Sequence, residues 1–401
     1  MAKAFEGLKV IDFSRVLAGP FAGQQLALLG ANVIKVEEPG KGDQARQLMS
    51  DGHLRDEFMA PLYLAVNSGK RSMTLNLKSP EAKDIVHRLI KDADVFIENF
   101  KAGTIGRLGF GYEELKKINP SLVYCSISGY GQKGPKAGVA AYDGAIQSAV
   151  GMPSTTGFAE NGPTRVGFTV VDMTTGITAA YAIAGALYRR QVTGEGQHLD
   201  VAMFDAALTQ IAVNVAKYTT MKEEPELLGN QSASKLATAN QFETREGYIQ
   251  STALVDSQIA ALLEVLGDEK VSNDPRFKTF DGREENKEEL SDELARLFMN
   301  DDAVNWVKKL AAAGVPCSKV SSISEALAEP QLDHRNVIMN LPAPEGLNDP
   351  LQLVGSGFQA SEDSPGATRP PPRIGQHTEE IMAEHGFSEA EIAEFRAANI
   401  I

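Results

Sequence analysis

The first 130 residues alternate short apolar strands with helices, and that alternation leaves few folds open. Residues 8–14, LKVIDFS, read as a strand, residues 22–30, AGQQLALLG, as a helix stopped by Gly30, and residues 32–37, NVIKVE, as a second strand. A third strand is expected over 72–77, SMTLNL, followed by a helix over 79–93 with Ser79 as its N-cap and Pro80 at its first position. Residues 94–100 and 122–128 supply two more strands. Strands separated by helices run parallel. The pattern therefore predicts an α/β fold, a doubly wound Rossmann-like sheet with ligands at the C-terminal ends of its strands.

After about residue 220 the pattern changes. MKEEPELLGNQSASKLATANQ is polar and aperiodic, FETREGYIQSTA reads as a hairpin around Glu246 and Gly247, and helical segments follow to about Gly314. These features place a smaller α+β domain at 226–319, between a first part of the large domain at 1–225 and a returning part at 320–401. The 43% of hydrophobic residues suits a globular core rather than a disordered chain. No apolar run approaches the ~20 residues of a membrane span, and MAKAFEGLKVIDFS lacks the apolar centre of a signal peptide. Cys125 and Cys317 are the only cysteines and read as core filler in a cytoplasmic, reducing setting. A net charge of -14 argues against nucleic acid as a partner. An anionic ligand would need a local basic pocket working against the overall field.

GYGQKG (129–134) satisfies Gly-x-Gly-x-x-Gly after a strand, but Pro135 and KAGVAA make a poor helix start, against a dinucleotide site. NSGKRS lacks the earlier glycine of a phosphate loop, and no Gly-x-Ser-x-Gly elbow is present. The six histidines include no i,i+4 pair, so no metal site is expected, and His87 sits inside an amphipathic helix as a structural residue. What remains is a set of acids at small-residue junctions: Asp143, Asp172, Asp200 and Asp205. In GFTVVDMTTG, Gly167 to Val171 read as a short buried strand and Thr174 onward as a nearly uncharged helix. An acid at such a junction is an N-cap or a reacting group, and pattern alone does not rank the four. The glycine-rich turns at 17–23 and 129–134 suggest backbone approaching a ligand.

Several segments, among them VIDFSRVLAGPFAGQQLALLGANVIKVEEPGKGD, DVFIENFKAGTIGRLGFGYEELKKINPSLVYCSISGYGQKGP, AAYDGAIQSAVG and TGEGQHLDVAMFDAAL, closely resemble the class III CoA-transferases, the formyl-CoA and carnitinyl-CoA transferase family. The resemblance runs nearly end to end. It implies that Asp172 is the nucleophile, that acyl-CoA and a small carboxylic acid are the substrates with no permanent cofactor, and that two ring-like chains interlock as a homodimer. It also implies that CoA lies against Leu17, Ala18, Leu75, Lys78, Asn99, Lys101, Arg107, Tyr142 and Asp143. The carboxylate, with an ordinary pKa near ~3.9, would be ionised at neutral pH and need no general base. Gly167, Thr174, Thr175 and Gly176 would let backbone N–H groups reach the anhydride oxyanions. Glu38 stands where formyl-CoA transferase carries a CoA-contacting arginine, leaving Lys41 or Arg46 to replace it. The tetraglycine loop of that enzyme has no counterpart, and SASKLATANQ occupies the region. A roomier site then favours succinyl-CoA as donor and a dicarboxylate of the itaconate, mesaconate or citramalate type as acceptor. Two other readings share the fold. A racemase resembling α-methylacyl-CoA racemase would carry His where Tyr142 stands, and proton transfer without an imidazole there is hard to run. A non-catalytic CoA-binding protein would be expected to have lost Asp172.

Overall fold

The computed structural model describes residues 3–401. Six strands form one sheet: β1 (Lys9–Asp12), β2 (Asn32–Glu37), β3 (Arg71–Thr74), β4 (Val95–Glu98), β5 (Val123–Ser128) and β6 (Gln197–Ala202). Every neighbouring pair is parallel, in the order β3-β2-β1-β4-β5-β6. The chain winds outward from β1 in one direction and then restarts at β4 in the other. The switch point, where ligands bind in open α/β sheets, therefore lies between β1 and β4.

Seven helices matter for the site: α1 (Ala18–Leu28), α2 (Ala82–Ile90), α3 (Tyr112–Ile118), α4 (Asp143–Ala149), α5 (Val170–Thr193), α6 (Met203–Gln210) and α7 (Ala212–Met221). One face of the sheet packs Ile11, Phe13, Phe96 and Tyr124 against α2, α3 and two C-terminal helices, Thr378–Glu384 and Glu389–Ala397. The other packs Val10, Val33 and Ile97 against Ala22 and Leu26 of α1 and Ala179 and Ile183 of α5. The edge strand β3 is covered by the returning C-terminal segment. The His377 N–H donates to the Ser72 carbonyl at 2.9 Å, and the Asn76 N–H donates to the Ile400 carbonyl at 2.7 Å. Covering an edge in this way removes a template for aberrant pairing.

The structure changes four expectations. The sheet has a sixth strand, β6, whose sequence QHLDVA had suggested a capping acid instead. α2 begins at Ala82, and the buried Ser79 hydroxyl makes no capping bond. Residues 167–169 are irregular and α5 already starts at Val170, so no strand precedes Asp172. α5 is also long and apolar enough, by length and composition, to cross a membrane. Its alanines and glycines instead let it pack closely on α1 and the sheet, which explains its composition without a bilayer.

The chain divides into two compact units: Met1–Val150 with Val166–Met221 and Pro330–Ile401, and Gly151–Arg165 with Lys222–Glu329. The second unit thus takes in an excursion before α5 as well as the region that the sequence places at 226–319. Its sheet contains the expected hairpin, Gln241–Glu243 paired antiparallel with Tyr248–Ser251, plus Cys317–Lys319. Phe242 stacks on Phe298 at 4.6 Å, with Trp306 edge-on to the latter.

The strand ends nearest the switch point carry charge into the interior of the first unit. Asp12 pairs with Lys70 at 2.9 Å with both side chains fully buried, and Lys70 also donates to the Pro20 carbonyl at 2.7 Å. Burial holds the Lys70 ammonium down to about 8. Lys70→Met should lower stability by about 3–5 kcal/mol, because it leaves the Asp12 charge buried without a partner. Urea denaturation measures this, and the double variant Asp12→Asn with Lys70→Met should recover part of the loss.

Candidate active site

A cavity of about 270 Å³ opens at the C-terminal ends of β1, β4 and β5. Its walls are residues 15–18, 99–102, 127–131 and 138–142, with Gln44, Asp172 and Met203 completing them. This is the switch-point position, reached because the loops after β1 and β4 diverge there.

Asp172 lies in the first turn of α5, where free N–H groups would ordinarily attract its carboxylate. Another acid has taken that task. Asp143, at the start of α4, accepts hydrogen bonds through Oδ2 from the N–H groups of Val171 at 2.8 Å and Asp172 at 3.1 Å. Gln147 fixes the capping carboxylate by donating to Oδ1 at 2.6 Å. No hydrogen bond engages the Asp172 side chain among the described residues. Burial, and then the neighbouring charge of Asp143, push its carboxyl up to about 7. The expectation of an ordinary carboxylate near ~3.9 is therefore corrected: burial and a like charge hold this carboxyl well above that value.

Of the other expected contacts, Leu17, Ala18, Asn99, Lys101 and Tyr142 line the cavity. The Asn99 amide is engaged at both ends by the backbone of Arg15, accepting from its N–H at 2.8 Å and donating to its carbonyl at 2.7 Å. Asp143 does not line the cavity, since its carboxylate faces α5. Leu75 is a core residue, 1% exposed, packed among the side chains beneath β3. Lys78 and Arg107 are exposed and outside the cavity walls, with Arg107 donating to Thr104 Oγ1 at 3.0 Å. Arg46 cannot take the role left by Glu38. It is fully buried against Glu37 at 2.7 Å and lies over the Tyr63 ring at 3.7 Å. Lys41 pairs with Glu38 itself at 3.1 Å.

Gly176 serves packing rather than an oxyanion. A Cβ there would meet the Ala18 carbonyl and the Phe21 ring, each at 2.8 Å, so its absence sets how closely α5 approaches α1. Thr175, fully buried, donates to the Val171 carbonyl. The first turn of α1 has free N–H groups as well, since Leu17 supplies no side-chain cap, and of these residues Ala18 lines the cavity. Asp200, on β6, accepts from the Gln132 N–H at 2.9 Å and so braces the GYGQKG turn against the cavity. Sequence reasoning missed Arg15, Val16, Gln44 and Met203 as wall residues. A signal existed for the first two, because SRVLAGP joins a buried strand end to a helix start.

A family description, CoA-transferase family III, matches residues 5–378. An acyl-CoA transferase from Fusarium pseudograminearum is 37% identical over 99% of this chain and 88% of its own. A succinate–glutarate CoA-transferase from Agrobacterium fabrum is 36% identical over 94% of each chain. The crystal structure of a CAIB/BAIF family protein from Brucella suis superposes with a TM-score of 0.86 at 33% identity, covering 96% of this chain and 100% of that one.

Gly176→Ala should displace the first turn of α5 from α1 and lower kcat about 100-fold, the scale expected for a misplaced reacting group. The melting temperature should fall as well, and steady-state kinetics with an acyl-CoA donor measures the first effect.

Proposed function

The chain belongs to CoA-transferase family III, and on that premise we propose that it moves CoA between small dicarboxylic acids through covalent intermediates on Asp172. The observation carrying this reading is the division of labour at α5: Asp143 caps the helix and leaves the Asp172 carboxylate facing the cavity. An Asp172 oxygen attacks the thioester carbonyl, the C–S bond breaks, and CoA leaves as the thiolate with a mixed anhydride behind it. The thiolate attacks the aspartyl carbonyl, the donor acid leaves as a carboxylate, and Asp172 holds CoA as a thioester. An acceptor carboxylate then attacks that thioester, and the returning thiolate takes the acceptor's acyl group and regenerates Asp172. Each tetrahedral oxyanion requires donors in a dry place, and the Ala18 N–H at the cavity wall is suited to it. Tyr142, 69% exposed, supplies no imidazole for proton transfer, which disfavours the racemase alternative.

The dicarboxylate class is supported by the Agrobacterium relative, which is named for succinate and glutarate. Succinyl-CoA is the first donor to try. Incubation with a donor acyl-CoA and no acceptor should leave an aspartyl–CoA thioester at Asp172, read by peptide mass spectrometry. Hydroxylamine should inactivate the enzyme only in the donor's presence. A label on Asp143 instead would overturn the assignment.

The raised pKa carries a second prediction with a definite sign. Only the anion attacks, so kcat/KM should fall as pH drops below about 7. Glu98, beneath the same loop, is also pushed up to about 7 by burial, so the wild-type curve alone does not assign the bend. Asp143→Asn removes a charge that raises Asp172 and should move the bend to lower pH. In the fold itself, a carboxyl raised from 3.8 to about 7 contributes stability that is fully present below the unfolded value and is lost as pH rises through the folded one. Asp172→Asn should therefore be inactive yet melt at a higher temperature than wild type on the alkaline side. The gap should close toward the unfolded pKa, with an upper bound of about 4 kcal/mol before allowing for the water that reaches the group.

We also propose a homodimer. Ile177, Tyr181, Tyr188 and Val192 form an exposed apolar stripe along α5, with Tyr181 79% and Val192 76% exposed, and Val213 and Met221 on α7 are exposed too. A second copy of the chain would cover such a surface. Light scattering should give about twice 43.1 kDa, and a monomer persisting at micromolar concentration would refute this.

A further inference from the structure

Arg15 is held more tightly than any structural duty explains. Its backbone is clamped on both sides by the Asn99 amide, as described above. The next residue, Val16, sits at φ 69°, a left-handed conformation that a β-branched side chain resists. The Val16 N–H is held there by both oxygens of Asp43, at 3.0 and 3.2 Å. Asp43 in turn pairs with Lys35 at 2.8 Å, both fully buried, and Lys35 donates to the Ser14 carbonyl at 2.9 Å. Residues 14, 15 and 16 are thus each fixed from a different quarter.

The guanidinium that this clamp presents is not itself engaged. It lies over the Phe100 ring at 5.1 Å and makes no ion pair or side-chain hydrogen bond among the described residues. Glu38 feels its charge, but Glu38 is already paired with Lys41. Arg15 lines the same cavity as Asp172 and, on its other side, a second cavity with Lys41, Gln44 and Gln47. A planar, permanently charged fork stacked on an aromatic ring matches a carboxylate in two parallel hydrogen bonds.

We propose that Arg15 binds the second, non-reacting carboxylate of the dicarboxylic substrate, and so selects dicarboxylates over monocarboxylates. This deepens the dicarboxylate reading and rests on it. The Asn99–Asp43 clamp positions the guanidinium before substrate arrives, so little ordering remains at binding. The same fork could hold an anionic oxygen from another source, a phosphate of CoA, and the experiment separates the two.

Arg15→Met and Arg15→Lys are made in the full-length protein and compared with wild type on succinyl-CoA and acetyl-CoA donors. Each donor is paired with dicarboxylic and monocarboxylic acceptors of equal chain length, and CoA binding is measured by calorimetry. In Arg15→Met the loss in kcat/KM on dicarboxylates should exceed that on monocarboxylates by about 10- to 100-fold, mainly in KM. Arg15→Lys, which keeps charge but not the fork, should recover only part. An equal loss on both acid classes, together with weakened CoA binding, would assign Arg15 to a phosphate and overturn the proposal. So would a wild-type enzyme that does not discriminate between the classes. Failure of the transfer mechanism itself shows separately, as absence of the aspartyl–CoA adduct in wild type.

Discussion

The first turn of α5 offers free N–H groups, and two carboxylates stand within reach of them. Which carboxylate takes them decides what the site can do. Asp143 reaches across from α4 and occupies the N–H groups of Val171 and Asp172, so the Asp172 carboxylate is not drawn down onto its own helix. A carboxylate engaged in two backbone hydrogen bonds would be a weaker nucleophile. The same contact joins α4 to α5, and Gly176 then brings α5 against α1. One hydrogen-bonded acid and one missing Cβ thus fix where Asp172 stands relative to the α1 N-terminus.

The position of this apparatus follows from topology. The order β3-β2-β1-β4-β5-β6 parts the loops after β1 and β4, and the reciprocal bonds of Asn99 to Arg15 span the gap those loops leave. Beneath them, Asp12, Lys35, Glu37, Asp43, Arg46 and Lys70 form buried pairs. Such pairs are weak sources of net stability, but breaking one is expensive, so they hold the strand ends in a single arrangement. They also explain how a chain of net charge -14 can receive an anionic substrate. Three acids at the strand ends, Asp12, Glu37 and Asp43, are matched internally, while Arg15 and Lys101 line the cavity.

The sheet was legible because its strands have the apolar runs that burial on both faces demands. Residues 32–37 match β2 to the residue. Their detail was not legible. Lys35 and Glu37 look like the solvent side of an alternating strand, yet both are buried, because their partners Asp43 and Arg46 lie in a following loop that no periodicity identifies. Asp12 and Lys70 are 58 residues apart, and Asp143 and Val171 are 28 apart. Pairings at such separations are set by the assembled sheet, so local pattern could name Asp143 and Asp172 as candidates but not say which caps. β6 was missed for a related reason: QHLDVA carries polar residues at positions where His198 meets Ser126 and Asp200 holds a turn.

On energetic grounds a carboxylate would be an apt nucleophile for such a transfer. Transfer between two acids conserves the thioester only if every covalent intermediate is itself activated. An anhydride and an aspartyl thioester both are, whereas an ester on serine would surrender much of that activation. Activated intermediates are also open to water. The burial that raises the Asp172 carboxyl to about 7 would also keep water from an anhydride formed there. A raised carboxyl and a dry place for an activated intermediate would then have a single cause. Substrate binding need not overcome that penalty with a general base. The α1 N-terminus, which has no side-chain cap, directs positive potential at the cavity, and that potential would favour an aspartate anion before attack and an oxyanion during it.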